Sequence, residues 1–439
     1  MQVHLETTGA LARRLRVQIP AERIDSAVAK RLKTIASRAK LPGFRPGKAP
    51  MKVIEAQYKD SARYEVINDL VRETYPEAVD KAQVQPAGYP QFEITGAQAD
   101  GFEYVATFDV YPSIVLDKLN SLAVSKPKVE ISESDIDKLV DNLRKARKTL
   151  NEVSRAAGPG DVVTVDFEGK LDGEAFAGGK GEGVEFEIGA GQFLPDLESG
   201  IVGHSAGEAF TVDVAFPEDY RAEQLKGKTA QFMVMLKQVL ETVLPAVDDP
   251  EFLSAHGLGA EQGVAGLRSK ALQALESERN KAVKAKMKSQ VLDQLLSAHP
   301  IEVPHGLIEQ ELPRLRDEAT SRMNMGQIKP EKAKEMFPDQ VFEATAKRRV
   351  ALGLLIGEVI KVKNITLDAS RVEQTLAEMA GDYEQPEQVQ QFYRSRPDLM
   401  QGLRAVVLED QVVEVLAADA IVTEAPQSLE QLLNPQAQA

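Results

Sequence analysis

Apolar and polar residues alternate over Val3–Thr7 and Leu11–Val17, and again over Phe92–Thr95 and Phe102–Val110. A period of two predicts half-buried strands, the last pair joined as a hairpin through Ala99-Asp100-Gly101. Between the two pairs the pattern becomes helical over Ala21–Lys40 and roughly Met51–Lys81. The two helices are separated by Leu41-Pro-Gly-Phe-Arg-Pro-Gly-Lys-Ala-Pro50, a stiff projecting loop, because each proline fixes φ and lacks an N–H while the glycines supply φ > 0. Further on, Ser132-x-x-Asp135 is a capping signal for a helix over 132–156, with Ile136, Leu139, Val140, Leu143 and Leu150 at three-four spacing. A lone amphipathic helix needs a partner face, and the expected one is the distant C-terminal helices, which makes that domain discontinuous.

At Gly158-Pro159-Gly160-Asp161 the pattern changes to short strands: Val162–Glu168, then a glycine-rich connection from Gly169 to Gly183, Val184–Ile188, Phe210–Phe216 and Gln231–Glu241, with one short helix near Leu194–Ile201. After Leu244-Pro245 strand signals vanish. Helical patterns run over 261–298, closed by Pro300, 304–325, 330–363, 368–382 and 386–419. Long charged helices with a modest apolar stripe suggest extended arms. The tail from Ala425 is rich in Gln, Ala and Pro and is expected to be disordered. Met323, Met325, Met336, Phe337, Met379, Phe392, Tyr393 and Met400 concentrate soft and aromatic side chains in this half, as promiscuous binding surfaces do, although helix-core packing accounts for any one of them.

Composition narrows the chemistry. A chain of 439 residues with 43% hydrophobic content implies about three globular domains. No apolar run approaches the ~20 residues of a membrane span, and Met1-Gln-Val-His-Leu-Glu lacks the marks of a signal peptide, so a cytoplasmic protein without membrane partners is expected. Zero cysteine excludes disulfides, thiolate metal sites and cysteine catalysis. The histidines at 4, 204, 256, 299 and 305 show no ligand spacing, and no Walker, G-x-G-x-x-G or G-x-S-x-G motif is present. We therefore expect no metal, cofactor or nucleotide.

Charge adds one feature. From Lys30 to Lys52 there are eight basic residues and no acidic one, in a protein of net charge −14. Phe44 and Arg45 stand together at the loop tip, a combination found in binding hot spots, so an anionic partner carrying nucleic acid is expected rather than a merely solvated loop. Gly43-Phe44-Arg45-x-Gly47-x-x-Pro50 matches in full the ribosome-docking signature of trigger factor, the bacterial chaperone that meets nascent chains at the tunnel exit, and the sequence resembles that family along nearly its whole length. The resemblance implies that Gly43, Phe44, Arg45, Pro46, Gly47, Lys48 and Pro50 contact the large ribosomal subunit, both protein and rRNA. It also implies a cradle for nascent and unfolded chains.

Within 157–243 the frame Val163-x-Val165-x-Phe167-x-Gly169, Gly173-x-x-Phe176, Phe186-x-Ile188-Gly189, Phe193-Leu194-Pro195, Gly200-x-x-Gly203, Gly207-Glu208, Phe216-Pro217 and Tyr220 resembles the FKBP-type prolyl isomerases. That resemblance carries the family pocket onto Phe167, Phe176, Phe193, Leu194, Tyr220 and Phe232; composition alone would read them as core. Ala177 stands where the family usually has an acidic residue and Leu197 where it often has tryptophan, departures that bear on macrolide binding. Rotation about X–Pro needs no acid, base or nucleophile. Its barrier of about 18–20 kcal/mol is amide resonance, which an apolar cleft weakens by withdrawing the solvent that favours the planar amide.

The expected fold is multidomain α+β. It comprises an N-terminal α+β ribosome-binding domain (1–112), a linker and arm helix (113–156) on the C-terminal domain, an FKBP-like β-sheet domain with a short helix (157–243), a discontinuous all-α chaperone domain with extended arms (244–424), and the tail (425–439). The expected activity is ATP-independent holding of nascent chains with cis/trans isomerisation of X–Pro bonds. A free-standing isomerase acting on folded clients, its N-terminal domain used for dimerisation, stays open, as does homodimerisation off the ribosome.

Overall fold

A computed structural model describes the chain apart from Lys40, Gly43, residues 45–47, 99–100 and 324–327, Asp382, Glu384 and residues 435–439, and apart from the side chains of residues 96–98 and Ala177. In chain order the elements are β1 (Gln2–Thr7), β2 (Ala12–Pro20), α1 (Ala21–Arg38), α2 (Met51–Ala82), β3 (Pro86–Gln98), β4 (Gly101–Val110), β5 (Ala123–Lys128), α3 (Glu133–Ala146), β6 (Thr149–Glu152), β7 (Val162–Leu171), β8 (Glu174–Glu187), α4 (Pro195–Ile201), β9 (Ala209–Ala215) and β10 (Thr229–Val243). There follow α5 (Pro250–Ala255), α6 (Gly263–Ala298), α7 (His305–Arg322), α8 (Pro330–Met336), α9 (Asp339–Lys363), α10 (Ala369–Gly381), α11 (Pro386–Ser395), α12 (Pro397–Asp419), β11 (Ile421–Pro426) and α13 (Leu429–Leu433). No described helix is long and apolar enough to cross a membrane. The chain divides into two compact units, Met1–Lys126 with Ala285–Ala425, and Pro127–Lys284 with Pro426–Ala439.

In the first unit an antiparallel sheet ordered β1-β2-β4-β3 carries α1 and α2 on one face. The period of two explains the register. Leu15, Val17 and Ile19 of β2 and Phe102, Tyr104, Ala106 and Phe108 of β4 all point to the core, where Ile24, Val28 and Leu32 of α1 and Ile54, Val66 and Leu70 of α2 meet them. The Tyr104 hydroxyl lies 3.1 Å from Thr74 Oγ1, which itself donates to Leu70 O, so a buried phenol is satisfied inside this core. The Ala99-Asp100 turn expected between β3 and β4 lies outside the described residues.

The helical part of the same unit gathers Leu119, Leu122 and Val124 with Val291 and Leu295 of α6, Leu355 and Val359 of α9, and Val412 and Leu416 of α12. His299 is buried there: Nε2 accepts the Lys118 N–H and Nδ1 lies within hydrogen-bond distance of Leu295 O, each at 3.2 Å. The helices expected over 330–363 and 386–419 are each two. Pro338 separates α8 from α9 and Pro397 starts α12, since a proline terminates the preceding helix more readily than it continues one.

In the second unit α3 turns Ile136 and Val140 onto Phe252 and Leu253 of α5 and Leu267, Ala271 and Leu275 of α6. Its start is a capping box between Ser132 and Asp135. The helix does not reach 156. It ends at Ala146, and Thr149–Glu152 forms β6, antiparallel to the end of β10. The disordered tail is corrected as well. Ser428 caps α13, and Leu429 and Leu432 are buried beside Val129 and Ile136, so burial of two leucines overrides the polar composition around them. Residues 435–439 lie outside the described part.

Candidate active site

The remainder of the second unit is a sheet ordered β6-β10-β7-β8, with β9 sharing the β6 edge of β10. Strict alternation along β10 buries Ala230, Phe232, Val234 and Leu236, and β7 contributes Val163 and Val165 to the same core. The stretch expected to be a glycine-rich connection is instead hairpin, β7 and β8 turning at Asp172-Gly173, both with positive φ. Its glycines are explained by rings. Gly169 stands opposite Phe232 in the register, and a Cβ there would lie 2.7 Å from Phe232 Cε1 and 3.0 Å from Phe176 Cζ. At Gly181 a Cβ would lie 2.7 Å from Phe167 Cζ. These glycines make room for the aromatic side chains that form the pocket.

That pocket is an open cavity of about 470 Å³. All six residues anticipated from the sequence line it: Phe167, Phe176, Phe193, Leu194, Tyr220 and Phe232. Phe167 meets Phe193 edge-on at 5.9 Å between centroids, Phe176 meets Phe232 edge-on at 6.0 Å, and Phe216 bridges to Tyr220 at 4.7 Å. Edge-to-face contacts lock ring orientation as well as burying area. Phe216, Val214, Leu225 and Leu197 also line the wall, and the sequence reading had not placed them there in that role. Phe216 was visible as Phe216-Pro217, whereas Leu197 was noted only as a departure from tryptophan. No carboxylate, imidazole or amine belongs to this lining, so it offers shape and a low-polarity surface, with Gln192 and the Tyr220 hydroxyl as its polar side-chain groups.

One polar group behind the wall went unread. Glu198 is 5% exposed, and its carboxylate accepts N–H bonds from Gly189 (2.8 Å), Gly191 (3.3 Å) and Phe193 (2.9 Å). Burial pushes its carboxyl up, but the N–H groups of Phe193, Gly189, Gly191 and Gln192 outweigh that and hold it below the ordinary glutamate value. In sequence it looks like any acidic residue in a first helical turn. At the base of the sheet, Asp161 is buried, accepts both Arg155 terminal nitrogens at 2.5 and 2.9 Å and the Gly158 N–H at 2.8 Å, and is likewise depressed, chiefly by Arg155.

Comparison with known proteins matches residues 1–143 to the family model described as bacterial trigger factor protein, 153–237 to FKBP-type peptidyl-prolyl cis-trans isomerase, and 263–418 to the trigger factor C-terminus. Trigger factor of Thioalkalivibrio sulfidiphilus (strain HL-EbGR7) is 45% identical over 436 residues, covering 99% of this chain and 98% of that protein. The chain belongs to the trigger factor family. The trigger factor of Ectopseudomonas mendocina (strain ymp) is 42% identical with the same coverage. A solved structure described as "Promiscuous Substrate Recognition in Folding and Assembly Activities of the Trigger Factor Chaperone" covers 95% of this chain and is itself covered to 99%, at 19% identity and a TM-score of 0.45. By the family models matched and its own elements, the chain carries an FKBP-type domain in its middle and a helical C-terminal region, as its sequence suggested.

Of the loop residues, Phe44, Lys48 and Pro50 are described, and Gly43, Arg45, Pro46 and Gly47 are not. Phe44 donates its N–H to Leu41 O at 3.1 Å, and its side chain is 40% exposed. Met51 and Val53, at the start of α2, are exposed to a similar degree. Pro50 stands immediately before α2, where its fixed φ and missing N–H suit a helix entrance, and Lys48 is exposed. Met325, one of the methionines singled out from the sequence, lies outside the described residues.

Proposed function

We propose that the protein is an ATP-independent, ribosome-associated cytoplasmic chaperone that isomerises X–Pro bonds in the nascent and unfolded chains it holds. The observation that carries the isomerase reading is the convergence of six apolar and aromatic side chains on one cavity whose described lining holds no carboxylate, imidazole or amine. Catalysis there rests on differential binding. The twisted imide has lost its resonance and with it the charge separation that water favours, so a low-polarity wall that fits the rotated proline lowers the barrier. Residues 43–48 and Pro50 are the docking element, supported by the exposed Phe44 in a stretch whose charged residues are all basic and by membership of the family. The division of labour runs from docking in 1–112, through isomerisation in the sheet from β6 to 243, to client holding by α3 with the helices after 244.

A crossed experiment on the full-length chain tests both halves. Tyr220→Ala should lower kcat/KM toward an X–Pro peptide with an apolar residue before proline while ribosome co-sedimentation persists. Phe44→Ala with Arg45→Ala should abolish co-sedimentation while isomerisation persists. Wild-type protein that is inert toward every such peptide would end the isomerase reading, and unchanged co-sedimentation of the double variant would end the docking one.

A further inference from the structure

We infer that Glu198 is a positioning residue for X–Pro isomerisation: its buried carboxylate sets the wall of the pocket by holding the backbone of residues 189–193. The inference rests on the isomerase reading of this cavity. Gly191, Gln192 and Phe193 line the cavity, and the N–H groups of Gly189, Gly191 and Phe193 all end on the two Glu198 oxygens.

The carboxylate is itself fixed from behind. Glu198 sits on α4 between Leu197, 4% exposed, and Ile201, fully buried, and Asp196 Oδ2 accepts the Ala215 N–H of β9 at 2.9 Å. Gly200 lets α4 lie directly on Val212, since a Cβ there would fall 2.5 Å from Val212 Cγ1. The order of command therefore runs from sheet to α4, from α4 to Glu198, and from Glu198 to the loop that carries Phe193.

A loop staple with no reaction to serve would be cheaper with neutral partners. An ionised side chain taken out of water is costly, and among the described residues no cationic side chain pairs with Glu198; backbone N–H groups alone compensate it. What the charge gives in return is an acceptor for several converging donors at once. A carboxamide cannot replace it, because its NH₂ would face N–H groups. Phe193, whose N–H is one of those donors, makes ring contacts with Phe167 at 5.9 Å and Phe186 at 4.5 Å, so movement of the loop moves the aromatic wall.

The test uses the full-length chain with Glu198→Gln. We expect kcat/KM toward a proline tetrapeptide with an apolar residue before proline to fall about ten- to a hundredfold, the scale of a ~1 Å misplacement. The preference for apolar over charged residues before proline should flatten, and the amide resonances of Gly189, Gly191 and Phe193 should move. Because Glu198 acts through the loop, Glu198→Gln made in a Phe193→Ala background should cost little more than Phe193→Ala alone. Additive losses, or an unchanged rate and preference despite moved amides, would overturn the positioning role. If Glu198→Gln does not fold by near-ultraviolet circular dichroism, Glu198→Asp decides: its charge is kept and its reach shortened, so a smaller loss in the same direction supports the role and an unchanged rate overturns it. An inert wild-type protein would bring down the isomerase reading and this proposal together, whereas an active wild type with an indifferent Glu198→Gln brings down this proposal alone.

Discussion

Gly169→Ala adds one carbon at a crowded point of the pocket's back wall. The new Cβ would lie 2.7 and 2.8 Å from Phe232 Cε1 and Cζ and 3.0 Å from Phe176 Cζ, against a comfortable carbon separation of about 3.5–4.0 Å. Both rings must therefore retreat by roughly 1 Å, and both line the cavity. Overpacking of this kind costs about 1–3 kcal/mol, and a ~1 Å displacement of a positioning surface can cost ~100-fold in rate. Gly173→Ala is the matched control. At the hairpin tip its Cβ would meet nothing within 4 Å, but φ is +89°, so the backbone is strained without any pressure on the rings. That strain costs about 1–2 kcal/mol. Hydrogen exchange of the β7 and β10 amides reads local stability in both variants, and a proline-peptide assay reads the rate. The expected result is loss of local stability in both and loss of rate in Gly169→Ala alone. Equal rates in the two variants would show that the rings behind Gly169 do not shape the surface proposed to carry the isomerisation.

Leu429→Ala with Leu432→Ala should destabilise the cluster around α3 by about 2–5 kcal/mol per leucine and open residues 129–146 to limited proteolysis; a protease pattern identical to wild type would mean that α13 is not docked in solution. Asp161 has a folded pKa below its unfolded value, chiefly because of Arg155, so its contribution to stability is complete above the ordinary aspartate range near pH 4 and is lost as pH falls through the lower folded value. Thermal unfolding between pH 3 and 7 should accordingly fall more steeply on the acid side for wild type than for Asp161→Asn, and parallel curves would refute the assignment.

The N-terminal elements were legible because every second residue is buried, Leu15, Val17 and Ile19 in β2 and Phe102, Tyr104, Ala106 and Phe108 in β4, with Val105 the one further buried position of β4. The pocket aromatics were legible as a spaced frame, and all six converge on one cavity. β6 was not, because all four of its residues are exposed and an exposed edge strand leaves no periodic mark. The β7–β8 hairpin was hidden by its glycines, which suggest a loop until the rings that occupy their space are known. α13 carries a readable signal, the Ser428-x-x-Gln431 capping box, which a reading of the tail by composition alone passes over. Glu198 had no signal, since only the fold reveals that three backbone donors converge on it.

The seat of Leu429 and Leu432 beside Ile136 and Val140 also sets a timetable. Chains are made from the N-terminus at about 5–20 residues per second, and these partners are separated by almost three hundred positions. The apolar face of α3 therefore waits on the order of 15 to 60 s, by that rate, before its last neighbours exist. The β6–β10 sheet has no such delay, because it closes on itself as soon as residue 243 is available. The FKBP-type sheet should thus mature during synthesis while the cluster that flanks it is still open. The chain would itself pass through an interval in which one of its folded parts is complete and its neighbour is not.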